Sequence, residues 1–242
     1  MPPRMALSAL RAAAGSRLSL FGRWPITARH VEPSLISSPS GDPSERLLDV
    51  ALQAVSGARS VDLEWLAARD PSAFANVWPG EHYKLLAALV ALLRPRTIVE
   101  IGTATGASAL AMKSALGEDG RIVTFDVVPW QAVDQAVLRD EDFADARLEQ
   151  RLEDLSTPSG WRANAELLRT AELIFLDALH DGIQERQFLR GFEEVGLAAG
   201  PIVVLDDIRL WRMLSFWHDI ERPKLDLTSF GHWSGTGLVD FA

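Results

Sequence analysis

Residues 97–116 most constrain the fold, because Thr97-Ile98-Val99-Glu100-Ile101 reads as a buried β-branched strand that ends on Gly102 and passes straight into a helix. Gly102 and Gly106 let backbone approach a ligand closely, Ala107 to Leu116 carry the helix, and Gly117 offers its C-cap. A strand, a glycine turn and a helix N-terminus in this order place a nucleotide-like ligand at the turn. Taken alone, G-x-x-x-G also fits a tight turn that holds nothing. Two acids flank it: Glu100 precedes the first glycine, and Asp126 closes the next apolar run, Ile122 to Phe125.

Beyond this unit, apolar runs alternate with helical stretches. The spacing predicts strands at 121–126, 146–150, 172–177 and 201–206, with helices at 106–116, 130–138, 160–169, 182–195 and 209–220 between and after them. Strands 224–229 and 236–241 close the series with only Gly231 to Gly235 between them, which predicts an antiparallel hairpin at one edge. The fold class is therefore α/β, a doubly wound Rossmann-like sheet of seven mostly parallel strands with the last antiparallel. Helices at 44–55, 62–69 and 81–93 precede it as an N-terminal cap.

The chain of 242 residues, 48% hydrophobic, suffices for one large domain plus an extension. A formal charge of −9 disfavours general binding to nucleic acid or an anionic membrane surface. The absence of cysteine excludes disulfides and thiolate chemistry and agrees with a cytoplasmic setting. The longest apolar run, Leu85 to Leu93, cannot span a bilayer. Residues 1–43 read as a separate unit. Arg4, Arg11, Arg17, Arg23 and Arg29 lie in an acid-free stretch that suits either a helix over Met5–Leu20, docked on its own domain or on a second copy as a homodimer, or an organellar transit segment. A Pro- and Ser-rich linker at 32–43 follows.

Dinucleotide folds use G-x-G-x-x-G, and here Ala104 and Thr105 break that spacing. The stretch instead resembles the class I S-adenosylmethionine-dependent methyltransferases, and most closely the catechol and caffeoyl-coenzyme A O-methyltransferase branch. That branch often reads E-I-G-x-x-x-G-x-S, matched by Glu100, Ile101, Gly102, Gly106 and Ser108. The resemblance extends over residues 80–241 and makes 44–242 the methyltransferase domain. It implies that Glu100, Gly102, Thr103, Gly106, Ser108, Asp126, Glu153, Asp154 and Asp177 surround S-adenosylmethionine. Asp126 would take the ribose hydroxyls, while Glu153 and Asp154 would lie near the adenine amino group. Asp126 also suits a plain turn, and Glu153 and Asp154 an exposed charged one.

Leu173 to Asp181 and Leu197 to Ile208 resemble two further motifs of the branch, whose acids bind a divalent metal. Asp177, Asp206 and Asp207 are then ligands for Mg²⁺ or a similar hard cation. Asp207 equally suits the N-cap of helix 209–220. A metal-bound hydroxyl loses its proton readily, and His180, three residues after Asp177, stands where the branch carries a lysine base. The resemblance thus implies catalytic roles for His180 and Asp177 and a small hydroxylated acceptor. Trp130, Trp161, Trp211, Trp217 and Trp233 could line an acceptor pocket or simply pack, and the glycine-rich segment Gly231 to Gly237 could cover the site or simply turn. A metal-independent methyltransferase, a nicotinamide-dependent oxidoreductase and a non-catalytic binding protein of the same fold are the competing readings.

Overall fold

The computed structural model describes residues 18–19, 25–26, 43–70, 81–210 and 212–242. Elements are numbered over these residues. Leu18–Ser19 (β1) pairs antiparallel with Pro25–Ile26 (β2). That strand takes the end of the helix expected over Met5–Leu20, whose remaining residues, with most of the linker, lie outside the described residues.

The seven-stranded sheet comprises Thr97–Ile101 (β3), Arg121–Asp126 (β4), Leu148–Leu152 (β5), Leu173–Leu176 (β6), Ile202–Asp206 (β7), Lys224–Asp226 (β8) and Thr236–Asp240 (β9). Its order is β5-β4-β3-β6-β7-β9-β8, with β9 antiparallel to both neighbours and the other pairs parallel. This is the expected Rossmann-like sheet. β9 enters between β7 and β8, so the turn joining β8 to β9 lies at the rim where the parallel strands end.

Alternation along the strands sorts side chains to two faces. Ile98, Ile122, Leu173, Phe175, Val204 and Leu238 join one apolar layer with Glu45–Ala58 (α1), His82–Leu93 (α3) and Ala107–Ser114 (α4). Val99, Val123, Ile174, Val203 and Val239 face the other layer, filled from Pro158–Ala163 (α5), Ala165–Thr170 (α6), Gln184–Val195 (α7) and Met213–Asp219 (α8). Glu64–Arg69 (α2) completes the cap. Ser44 caps α1 by accepting from Leu47 N at 3.2 Å, and its hydroxyl donates to Asp240 at 2.6 Å, tying α1 to β9.

Helix 130–138 does not form. Pro129 leads into one 3₁₀ turn, Trp130–Ala132, after which only the adjacent pair Val137 and Leu138 is buried. Two neighbouring apolar residues make no helical stripe, and the segment instead docks on the glycine turn, with Val137 N donating to Thr105 O at 2.9 Å. β5 starts two residues later than expected, after Ala146 at φ +57, and helix 160–169 is split at Asn164. α4 ends at Ser114, short of Gly117. β8 is three residues long because the chain turns just past it: Asp226 Oδ1 accepts from Thr228 N at 2.8 Å, and Leu227 O accepts from Phe230 N and Gly231 N. At its start, buried Lys224 donates its Nζ protons to the carbonyls of Trp217 and Ile220, both at 2.7 Å, closing the C-terminus of α8. No helix among the described residues is long and apolar enough to cross a membrane.

Candidate functional site

A cavity of about 290 Å³ opens over the carboxyl ends of β3, β4, β5 and β6, where an open parallel sheet holds its ligands. Gly102, Asp126, Glu153, Asp154 and Asp177 line it, together with Ala104, Val127, Leu155, Ala178, Leu179, Gln184 and Phe188. The first five are residues singled out from the sequence. Among the described residues no tryptophan lines this cavity: Trp161 and Trp217 are buried in the core, and Trp233 points to solvent. Trp211 lies outside the described residues.

Gly102 is irreplaceable on steric grounds. It sits at φ +100, and a Cβ there would meet the Asp177 carbonyl oxygen at 1.6 Å. The tips of β3 and β6 are thus brought together, and Asp177 N donates to Ile101 O at 2.8 Å. The Asp126 carboxylate closes the turn from the next strand. Its Oδ2 accepts from Thr103 N and Ala104 N, each at 3.0 Å, and its Oδ1 from Val128 N at 3.0 Å. Three backbone donors fix the carboxylate at the cavity wall and leave it acceptor capacity.

Glu100, Thr103, Gly106 and Ser108 lie beneath the turn, outside the cavity lining. Glu100 projects toward α4, where Ser108 Oγ donates to its Oε1 at 2.6 Å; its Oε2 has no partner. Complete burial raises the Glu100 carboxyl to about 8, opposed by the Ser108 hydrogen bond, which favours the protonated form near neutrality. Thr103 Oγ1 meets Thr124 Oγ1 at 2.8 Å, and Gly106, at φ +83, leaves room for Leu138. These residues build the turn that the cavity residues stand on. Glu153 accepts from Asn164 Nδ2 at 2.7 Å, and Asp154 from Ser156 N and Oγ at 2.8 and 2.6 Å.

His180 lies among the carboxylates. Its Nε2 is 2.9 Å from Asp177 Oδ1, in a contact poorly aligned for a hydrogen bond, and its Nδ1 is 3.3 Å from Asp207 Oδ2. Burial would lower its pKa, but Asp177, Asp207 and Asp206 outweigh burial and lift it to about 9. A left-handed φ of +58 aims the ring, and Glu185, buried in α7, holds that conformation by accepting from His180 N and Gly182 N, both at 2.8 Å. No local sequence pattern points to this role of Glu185.

Asp207 is no helix cap, since α8 begins only at Met213; its carboxylate faces His180 and, at 3.8 Å, His232 Nδ1. Asp206 Oδ1 is in close contact with His232 Nε2 and lies 3.9 Å from His82 Nδ1. Burial first, then Asp177, pushes the Asp206 carboxyl up to about 7 against the pull of His232. Segment 231–237 is a packed turn: a Cβ on Gly231 would strike Thr236 Oγ1 at 2.0 Å, and His232 is turned inward. His82 and His232 were absent from the expected ligand set.

Residues 99–208 match a family model described as a methyltransferase domain. The match covers less than half of the chain, and over that stretch the chain is similar to a methyltransferase domain. A mouse relative, catechol O-methyltransferase domain-containing protein 1, is 33% identical over 129 residues, which is 52% of this chain and 48% of the relative. The chain thus aligns with about half the length of that curated relative. Among solved structures, a Geobacter sulfurreducens methyltransferase superposes with a TM-score of 0.55 at 19% identity, over 74% of this chain and 89% of that one. A candidate caffeoyl-CoA O-methyltransferase from Staphylococcus aureus gives 0.54 at 14% identity, over 81% and 100%. The SAH-bound Podospora anserina methyltransferase PaMTH1 gives 0.50 at 18%, over 80% and 89%. At these identities the likeness concerns the fold, whose carboxyl-end rim holds the cavity described above.

Proposed function

We propose that the protein is an S-adenosylmethionine-dependent O-methyltransferase acting on a small hydroxylated acceptor, with residues 44–242 as its working domain. The observation that carries this reading is the cavity over β3–β6, walled by the Gly102 turn and the fixed Asp126 carboxylate within a methyltransferase domain. A nucleoside diol needs a carboxylate acceptor at such a place, and Asp126 presents one already oriented. The apolar walls Val127, Leu155 and Phe188 suit the faces of a purine, with Glu153 and Asp154 at its edge. When bound, the cofactor supplies an electrophilic methyl group on a sulfonium.

On this reading His180 takes the acceptor's proton and Asp177 orients the ring. A base lifted to about 9 matches the acidity of a phenolic hydroxyl far better than ordinary imidazole, at the cost of being mostly protonated at neutral pH. Asp177, Asp206 and Asp207 would be the oxygen donors of a Mg²⁺ site, whose ion would stabilise an acceptor oxyanion. Their surroundings fit it poorly: His180 stands between Asp177 and Asp207, and His232 engages Asp206. The proton transfer is therefore assigned to the chain's own groups. The proposed setting is the cytoplasm, and the proposed assembly is a homodimer.

Calorimetric titration with S-adenosylhomocysteine tests the cofactor site, with and without Mg²⁺. Binding that needs no magnesium and weakens at least tenfold in Asp126→Ala is expected. Absence of binding, with nicotinamide dinucleotide binding in its place, would overturn the reading. Methylation of a panel of catechols and simple phenols then tests the acceptor class.

A further inference from the structure

We propose that His82, Asp206 and His232 form a binding site for a divalent transition-metal ion of the zinc class, a site that shares only Asp206 with the all-carboxylate set. The three side chains come from the first turn of α3, the end of β7 and the turn before β9. All three are buried, and one ligand atom from each lies within 4.8 Å of the others. The rings of His82 and His232 meet edge to face, with centroids 4.6 Å apart, and one nitrogen of each lies near the same Asp206 oxygen.

Two features go beyond mere proximity. His82 Nδ1 is buried with no hydrogen-bond partner, and at 3.9 Å from Asp206 Oδ1 it is too far to bond it. Leaving such a group unsatisfied is costly, so a ligand that engages this nitrogen is favoured. The second feature is Ser234, whose Oγ lies 2.7 Å from His232 Nδ1. It fixes that ring through the nitrogen facing away from Asp206, which is how the outer shell of a metal site orients a ligating histidine. Two imidazole nitrogens and one carboxylate oxygen select a borderline ion over Mg²⁺, and three protein ligands leave a fourth position for a further oxygen. Asp206 links the site to Asp177 and His180, with which it forms a second group of ligand atoms within 4.8 Å.

The inference stands apart from the methyl-transfer reading. The full chain, stripped with a chelator, is titrated with ZnCl₂ against a chromophoric competitor and with CoCl₂ by visible absorption. One ion per chain is expected, with the cobalt bands of a nitrogen-containing site. His82→Ala and His232→Ala should each weaken zinc binding at least 30-fold, whereas Asp177→Asn should change it less than threefold. Because His232→Ala could unfold the turn, His82→Gln, with folding followed by circular dichroism, provides a second variant. Failure to bind zinc, or binding indifferent to both histidines, overturns the site. So does binding lost in Asp177→Asn, which would place the ion on the carboxylates. S-adenosylhomocysteine titration of the same samples reports separately on the cofactor cavity.

Discussion

Asp177 and His180 stand 2.9 Å apart, carboxylate to imidazole, and Asp207 faces the other ring nitrogen at 3.3 Å. A ring held between two acids is a strong base that is rarely empty-handed near neutrality. If it takes the acceptor's proton, kcat/KM should rise about tenfold per pH unit below its pKa and level off near 9. His180→Gln should remove that rise and lower turnover far more than S-adenosylhomocysteine affinity. A wild-type profile already flat from pH 6.5 would remove the base role.

Glu185 tests how far aim matters. Its carboxylate holds the two backbone amides that set the His180 loop. Glu185→Gln keeps one acceptor and should lower kcat at least fivefold with little change in cofactor affinity, and Glu185→Ala should lower it further. Equal losses in both quantities would point to general unfolding of the loop, which thermal melting would register.

Gly102→Ala places a methyl group on the Asp177 carbonyl, in a backbone region that side chains avoid. Backbone cannot yield as a flexible side chain can, so a loss of at least about 3 kcal/mol in unfolding free energy is expected. Gly196→Ala is the control, since its φ is also positive but a Cβ there meets nothing within 4 Å. Denaturant titration should show the first variant as much the weaker of the two.

Glu100 makes stability depend on pH. Its folded pKa of about 8 lies above the ordinary 4.5, so the folded protein keeps a proton that the unfolded chain has released. Stability should fall as pH rises from 4.5 to 8 and this contribution should level off above 8. His180, also raised, acts in the same direction between 6.5 and 9. The difference between wild type and Glu100→Gln isolates the first contribution: the variant should gain on wild type as pH rises from 5 to 8. A constant difference would mean that Glu100 is ionised throughout.

Strand periodicity made most of the sheet legible, because β-branched runs between glycine and proline turns have few other uses. The edge hairpin was legible too, since nothing helical separates 224–229 from 236–241. Helix 130–138 was misread because its apolar residues suggested a face that tertiary contacts with Leu138 and Thr105 did not use. At the site, strand-ending acids such as Asp126 and Asp177 could be found because strand ends are positions defined by local sequence. Depth is a different matter. Glu100 and Ser108 match a motif yet sit under the turn, a distinction that depends on which sheet face α4 covers. His82 and His232 meet through the packing of α3 and a rim turn, and no local pattern carries that information.

The reversed strand β9 has an architectural consequence. Because it runs back from the rim, the loop feeding it opens on the same edge as the parallel strands' exits, and a late piece of chain can reach chemistry founded much earlier. The loop is itself closely packed, with Gly231, Gly235 and Gly237 each set against Thr236, Ile208 or Trp217, so it holds His232 at the rim as firmly as the sheet does. A reversed strand thus couples the last stretch of the chain to the ends of strands laid down long before it.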